Sequence, residues 1–157
     1  MLVSEIMALK GSVLYTVGPQ HTLQEAVTTM TELDIGSVVV VEDGKMVGLL
    51  TFREMLAALK RVGMNWREAK VSGAMMAKPV VATPEMEVEE LQRLIVEHHQ
   101  RYLPVMDGDV LQGVISFHDV ARAMLEEKSF ENKMLKNYIR NWPEEGETEG
   151  EGKATTG

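Results

Sequence analysis

The chain has 157 residues, of which 45% are hydrophobic and 25% are charged, and its formal net charge is −8. This composition predicts one or two folded domains and excludes collagen-like and wholly disordered chains. Because Cys is absent, disulfides, thiolate metal sites and cysteine nucleophiles are excluded as well. The acidic balance argues against a nucleic-acid partner. No apolar run is long enough to span a membrane, so we expect a cytoplasmic protein without membrane contact.

Strand and helix patterns follow one another at short intervals in the first part of the chain. The chain begins with a Met-containing stretch before the first predicted strand, which we call the lead. Further along, Glu42-Asp43-Gly44-Lys45 separates two apolar runs, which is typical of a hairpin turn. Thr22 lies three residues before Glu25, a spacing that caps a helix. The predicted order is a strand over 13–17, a helix from Thr22, strands over 37–41 and 46–51, and a helix over 52–61.

The same order returns in the second part of the chain, beginning with a strand over 80–82. A shift of 65 residues aligns the two parts without a gap from Pro19 to about Ala58. The leads align at a shift of 68 instead, which matches Val3-Ser4-Glu5-Ile6-Met7 with Val71-Ser72-Gly73-Ala74-Met75. A unit of about 60 residues therefore occurs twice, and each copy is predicted to fold as β-α-β-β-α. One copy buries too little surface to be stable alone. We expect an α+β fold in which the two copies pack as a pseudo-twofold pair.

A long helix is predicted after the second copy. No Gly or Pro interrupts the chain from Phe117 to Trp142, and the residues beyond are rich in Glu with no large apolar side chain. The predicted segments are repeat 1 over 1–62, a linker over 63–70, repeat 2 over 71–127, a helical extension over 128–142 and a disordered acidic tail over 143–157.

Each repeat ends its last strand with a hydroxyl residue that is followed three positions later by an acid. The pairs are Thr51 with Glu54 and Ser116 with Asp119. At a helix start, the hydroxyl and the free backbone N–H groups suit a phosphate, and the acid can accept hydrogen bonds from both hydroxyls of a ribose. The same spacing is also an ordinary capping box. The pattern alone leaves ligand binding and capping both open.

The duplicated motif resembles the tandem cystathionine-β-synthase-type (CBS) domains, also called Bateman modules. The resemblance covers nearly all of residues 1–125, and the stretch after it is similar to that of stand-alone CBS pairs of bacteria and plant organelles. The segments that carry it are Gly48-Leu49-Leu50-Thr51-Phe52-Arg53-Glu54 and Gly113-Val114-Ile115-Ser116-Phe117-His118-Asp119, with Leu103-Pro104-Val105 before the second.

The resemblance implies a regulatory, energy-sensing module that is not an enzyme and that binds AMP, ADP, ATP, NAD or S-adenosylmethionine between its repeats. It also implies a homodimer and a regulated partner protein that the sequence does not identify. No metal site and no catalytic residue are predicted. The predicted ligand-binding residues are Val13, Val38, Thr51, Arg53, Glu54, Lys78, Val80, Arg101, Tyr102, Leu103, Pro104, Ser116, His118 and Asp119.

The two predicted sites are not equivalent. The second has the shorter acid, Asp119, which we expect to lie near Arg101, whereas the first has Glu54 and carries Gly36 at the position that corresponds to Arg101. We therefore expect the second site to bind a nucleotide at least about tenfold more tightly, a difference of about 1.4 kcal/mol.

Two other functions compete with ligand binding. A metal site at His98, His99 and His118 is disfavoured, because adjacent histidines on a helix point about 100° apart and no His-x-x-x-His spacing occurs. The second alternative is a ligand-free structural or dimerisation module. It is indicated by the three-or-four spacing of Phe130, Met134, Leu135, Tyr138, Ile139 and Trp142.

Overall fold

The computed structural model describes residues 1–11 and 13–140, so the predicted acidic tail and Trp142 lie outside the described residues. The chain divides into two units, one over Met1–Val120 and one that begins at Ala121. In the described part of the chain, no helix combines the length and the apolar character that crossing a membrane requires.

The first repeat follows the predicted order of helices and strands, and the second follows it from its main helix onward, which confirms the α+β class and the tandem arrangement. The first repeat contains α1 (Val3–Lys10), β1 (Thr16–Val17), α2 (Leu23–Glu32), β2 (Ser37–Glu42), β3 (Lys45–Thr51) and α3 (Phe52–Val62). A 3-10 helix over Gly63–Glu68 leads to the second repeat, which contains α4 (Val71–Ala74), α5 (Val88–His98), β4 (Tyr102–Asp107), β5 (Val110–Ser116) and α6 (Phe117–Arg140).

Two local predictions differ from the structure. The strand predicted over 13–17 is reduced to β1, and the strand predicted over 80–82 is reduced to a single parallel bridge between Ala82 and Val105. The leads of the repeats, to which no regular structure was assigned, are the helices α1 and α4. Short helices are marginal on their own, so their formation depends on the contacts that they make with the rest of the chain.

Local sequence explains the elements that were predicted correctly. The Thr22 side chain accepts a hydrogen bond of 3.2 Å from the backbone N–H of Glu25, which caps α2. Asp43 and Gly44 both take positive φ angles, 52° and 78°, as a type I′ hairpin between antiparallel β2 and β3 requires. The strand order in the first repeat is β1-β2-β3, with β1 parallel to β2, and the second repeat pairs β4 with β5.

The lead of the first repeat is bound to the second repeat. The backbone N–H of Val3, at the start of α1, donates to the carbonyl of Met86 at 2.9 Å. In return, the N–H of Val88, at the start of α5, donates to the carbonyl of Met1 at 2.9 Å. The first N–H groups of a helix have no partner inside it, so these bonds satisfy one helix start in each repeat.

The lead of the second repeat is bound to the first repeat in the same way. The N–H of Val71 donates to the carbonyl of His21 at 2.8 Å, and the N–H of Leu23 donates to the carbonyl of Ala69 at 2.8 Å. Val71 is fully buried in the hydrophobic core of the first repeat. Each repeat therefore completes itself with the lead of the other one, and neither is a self-contained folding unit.

The exchanged leads explain the glycine that both repeats carry in their last strand. A Cβ atom at Gly48 would lie 2.5 Å from Sδ of Met75 and 2.9 Å from the carbonyl oxygen of Met76, which belong to the second lead. A Cβ atom at Gly113 would lie 2.6 Å from Cε of Met7 in the first lead. Glycine is required at these positions because the opposite lead passes directly over the strand.

Replacing Gly48 with Ala is expected to lower the free energy of unfolding by about 1–3 kcal/mol, because the new methyl group meets backbone as well as side-chain atoms. Gly113→Ala should cost less, since only the flexible end of Met7 lies close to it. Urea denaturation measures both, with Gly73→Ala as the control, because nothing lies within 4 Å of its Cβ position and Ala favours rather than opposes helix α4. Equal stability of the Gly48 and Gly73 variants would contradict the packing of the lead on β3.

Candidate functional site

A cleft of about 830 Å³ lies between the two repeats, at the carboxyl end of β3 and the amino end of β4. It brings together five of the predicted ligand-binding residues. Three come from the first repeat and two from the second: Thr51, Arg53, Glu54, Arg101 and Tyr102.

The polar end of this cleft is built at the junction of β3 and α3. Glu54 Oε1 accepts hydrogen bonds from the backbone N–H of Thr51, at 3.0 Å, and from the Thr51 hydroxyl. The Thr51 oxygen in turn accepts from the N–H of Arg53 at 3.2 Å. The motif therefore forms the expected cap of α3. Because both bonds to Glu54 use Oε1, its Oε2 atom makes no hydrogen bond within residues 1–11 and 13–140.

Two guanidinium groups line the cleft from different repeats. Nη1 of Arg53 donates to the carbonyl of His99 at 2.8 Å, across the boundary between the repeats. His99 ends α5 in the left-handed conformation with a φ angle of 52°, where the helix presents the negative end of its dipole to a cation. Arg101 follows two residues later and is exposed. The cleft therefore carries two positive charges next to the Thr51–Glu54 motif.

Aromatic rings form the apolar part of the cleft. Phe52 and Tyr102 meet edge to face, with ring centroids 6.3 Å apart and an interplanar angle of 87°, a favourable geometry for an aromatic pair. The Tyr102 ring also lies over Gly36, where a Cβ atom would come within 2.8 Å of Cζ. The first repeat has Gly at this position because the ring of Tyr102 occupies the space that a side chain would need.

Ser116 and Asp119 of the second motif do not line this cleft, although Phe117 between them does, and both already form hydrogen bonds within the protein. Asp119 Oδ2 accepts from the N–H of Ser116 at 2.9 Å, and the Ser116 hydroxyl accepts from the N–H of Asp119 at 3.0 Å. Nζ of Lys10 lies 2.7 Å from the same Oδ2 atom and 2.6 Å from the carbonyl oxygen of Val114. Lys10 was not among the predicted site residues, and its alignment with Lys78 at a shift of 68 was the only signal for it.

Gln100 is a second residue that sequence reasoning missed. Its side chain is buried and accepts from the N–H of Val80 at 3.0 Å. Its amide nitrogen donates to the carbonyls of Val80, at 2.7 Å, and Tyr102, at 2.9 Å. Gln100 thus connects Val80, which precedes the bridge at Ala82, to Tyr102 at the start of β4. The first repeat has Ile35 at the equivalent position, which cannot make these bonds.

The remaining predicted residues are distributed over different environments. Val38, Leu103 and Pro104 are buried, the first two of them in the hydrophobic core. Val13, Lys78 and His118 are exposed and lie outside the cleft lining. In the described part of the chain, no group of three His, Asp or Glu side chains gathers as metal ligands.

Comparison with known proteins identifies both repeats. A sequence model described as the CBS domain matches residues 3–61 and 71–126. The mitochondrial CBS domain-containing protein CBSX3 of Arabidopsis thaliana is 30% identical over 148 residues, which span 88% of this chain and 71% of that protein.

Two solved structures share the fold. The CBS-domain protein ATU1752 of Agrobacterium tumefaciens has a TM-score of 0.77 and 30% identity, covering 79% of this chain and 99% of that one. A structure of CBSX2 in complex with AMP has a TM-score of 0.68 and 25% identity, covering 81% of this chain and 98% of that one. These relatives confirm the resemblance to stand-alone CBS pairs of bacteria and plant organelles.

Replacing Gln100 with Leu should lower the free energy of unfolding by about 1–3 kcal/mol, because a partly buried N–H and two carbonyls lose their partner. Arg93→Ala is the control, since its ion pairs with Glu90 and Glu97 are exposed and 3.7 Å long, and such pairs contribute little. Thermal and urea unfolding measure the difference. A Gln100 variant as stable as the Arg93 variant would contradict the bonds to Val80.

Proposed function

The chain belongs to the CBS-domain family, and on that premise we propose that it is a non-catalytic regulatory module that binds an adenosine-containing ligand between its repeats. The observation that supports this most directly is the cleft that Thr51 and Glu54 line together with Arg53 and Arg101. A carboxylate next to a helix start suits the hydroxyls and the phosphate of one nucleotide.

Each part of an adenine nucleotide has a counterpart in the cleft. Glu54 has a carboxylate oxygen available for the ribose hydroxyls, and the two arginines can neutralise a phosphate group. Phe52 and Tyr102 offer aromatic surface to the base. The similarity to CBSX2, whose structure contains AMP, supports the same class of ligand. AMP, ADP, ATP, NAD and S-adenosylmethionine all carry the adenosine part, and the two arginines favour the phosphorylated ones.

We propose that the ligand binds at the first site, with Thr51 and Glu54, whereas the sequence led us to expect tighter binding at the second site, with Asp119. That expectation placed Arg101 near Asp119, but Arg101 lines the cleft at Thr51 and Glu54. A ligand in this cleft contacts both repeats, so it favours the relative arrangement of the repeats to which it binds best. We propose that a cytoplasmic partner protein, not identified by the structure, responds to that change.

A homodimer remains part of this proposal. The outer part of α6 exposes Phe130, Met134, Leu135 and Ile139, each with more than half of its surface accessible. They recur at helical spacing, so they form one apolar face that a second copy can cover with the same face. If no adenosine compound binds, dimerisation alone is the function that this observation favours.

Glu54→Gln should weaken binding of the best ligand among AMP, ADP, ATP, NADH and S-adenosylmethionine at least about tenfold, or about 1.4 kcal/mol, because the ribose loses a charged acceptor. Titration calorimetry on the full chain measures this. Glu42→Gln, at the exposed hairpin end of β2, is the matched control and should leave the affinity unchanged. Equal affinities for the two variants would exclude Glu54 from the site.

Leu135→Glu should convert the proposed dimer to a monomer, because a charge in the centre of the apolar face of α6 has to be desolvated on association. Sedimentation velocity on the full chain measures the change. Glu131→Gln, on the same helix, is the control and should leave the dimer intact. A Leu135→Glu protein that sediments as a dimer would exclude this face from the interface.

A further inference from the structure

We propose that Lys10 closes the second predicted site, the crevice at Ser116 and Asp119, to nucleosides, so that one chain binds a single adenosine-type ligand, in the cleft at Thr51 and Glu54. This inference rests on the proposed function, because it takes the acid of each motif to be the group that receives the ribose. The acid of the second motif is Asp119, and Lys10 reaches it from the lead of the first repeat.

The geometry makes Lys10 a competitor for the ribose. Its ammonium group lies 2.7 Å from Oδ2 of Asp119, and the two side chains are only 34% and 17% exposed. An ammonium group and a ribose diol both act as hydrogen-bond donors toward a carboxylate. The ammonium makes the stronger, charge-assisted bond. Oδ1 of Asp119 makes no hydrogen bond to the described residues, as is also true of Oε2 of Glu54, so the two acids differ in the ammonium group that Oδ2 holds. A ribose diol that bonds to both oxygens of Asp119 would have to replace this charge-assisted bond with a neutral one and leave Lys10 without its charged partner.

The carbonyl oxygens at the strand edges show how the pseudo-twofold symmetry is broken. In the first repeat, the carbonyl of Leu49 accepts from the backbone N–H of Met76 at 2.8 Å. The equivalent carbonyl in the second repeat, that of Val114, accepts from Nζ of Lys10 instead. In the second repeat, which contains Asp119, a lysine side chain therefore donates to the strand carbonyl. In the first repeat, a backbone N–H donates to the equivalent carbonyl. Among the described residues, only the second repeat has this lysine donor.

The sequences of the two leads explain the difference. Helix α1 continues to Lys10, whereas α4 ends at Ala74, and the residues after it run extended along β3. The second lead contains Gly73, a poor helix former, and Pro79, which disfavours a helical conformation in the residue before it. Lys78, the lysine that corresponds to Lys10, therefore does not reach Glu54. It makes no hydrogen bond or ion pair within the described parts of the chain.

A different role for Lys10 makes the opposite prediction. If the ammonium group bound the phosphate of a nucleotide in the second crevice, its removal would weaken binding there. If it closes the crevice, its removal adds a site. The stoichiometry of binding therefore separates closure from phosphate binding, and a comparison of AMP with adenosine shows whether the phosphate matters.

The test is titration calorimetry of the full chain with AMP and with adenosine. We expect about one equivalent of AMP per chain for the unaltered protein and about two for Lys10→Met, which keeps the apolar stem of the side chain. Lys10→Arg retains the cation and Lys60→Met removes an exposed lysine of α3, so both should stay at one equivalent. Adding Asp119→Asn to Lys10→Met should remove the second equivalent again.

Several outcomes would overturn the closure. A folded Lys10→Met protein that still binds one equivalent, or that loses at least tenfold in affinity for AMP but not for adenosine, would show that Lys10 does not exclude ligands. If Lys10→Met does not fold, Lys10→Gln carries the same expectation. If the unaltered chain binds no AMP and Lys10→Met binds one equivalent, the first-cleft proposal fails while the closure stands. If neither protein binds, both fail.

Discussion

The reciprocal exchange of leads between the repeats is the constraint on which the rest of the structure depends. Val3 and Val71 each begin a short helix in one repeat and donate a backbone hydrogen bond to the turn before the main helix of the other. Val71 also fills the core of the first repeat. Because each half lacks a part that only the other supplies, the two fold together. The cleft between them therefore forms as the chain folds and requires no separate docking step.

The exchange of leads also allows two repeats with the same fold to have different surroundings at their acidic residues. A lead that passes over the last strand of the opposite repeat ends next to the acid of that repeat. The first lead is helical to its last turn and delivers a cation to Asp119, while the second unwinds early and pairs with β3 through Met76. A few residues that set helix length, Gly73 and Pro79 among them, thus decide whether an acid faces a lysine or an open cleft.

The order of strands and helices could be predicted from the sequence because its signals are local. The hairpin at Asp43-Gly44 and the cap at Thr22 each depend on residues within three positions. Helices α1 and α4 could not be predicted, since their stability comes from docking onto the opposite repeat. The strand predicted over 13–17 was too long because strand length also depends on distant residues, and only Thr16 and Val17 pair with β2.

The motif residues of the candidate site could be predicted, but their grouping could not. Thr51 and Glu54 bond to each other over three positions, so their spacing carried the information. The contact between Lys10 and Asp119 spans 109 residues of sequence and follows from the length of α1. A pattern within one repeat reveals the acid without the cation that neutralises it, and for that reason the sequence favoured the second repeat whereas we propose the first.

Arg53 connects the chemistry of the cleft with the arrangement of the repeats. Its guanidinium group holds the carbonyl of His99 at the end of α5 and lines the cleft at the same time. A phosphate bound there competes with a neutral carbonyl for this donor, and the charged acceptor forms the stronger bond. A ligand without negative charge leaves the link between the repeats as it is. If the proposed function holds, the charge of the ligand, more than its base, therefore determines whether binding changes the contact between the two halves.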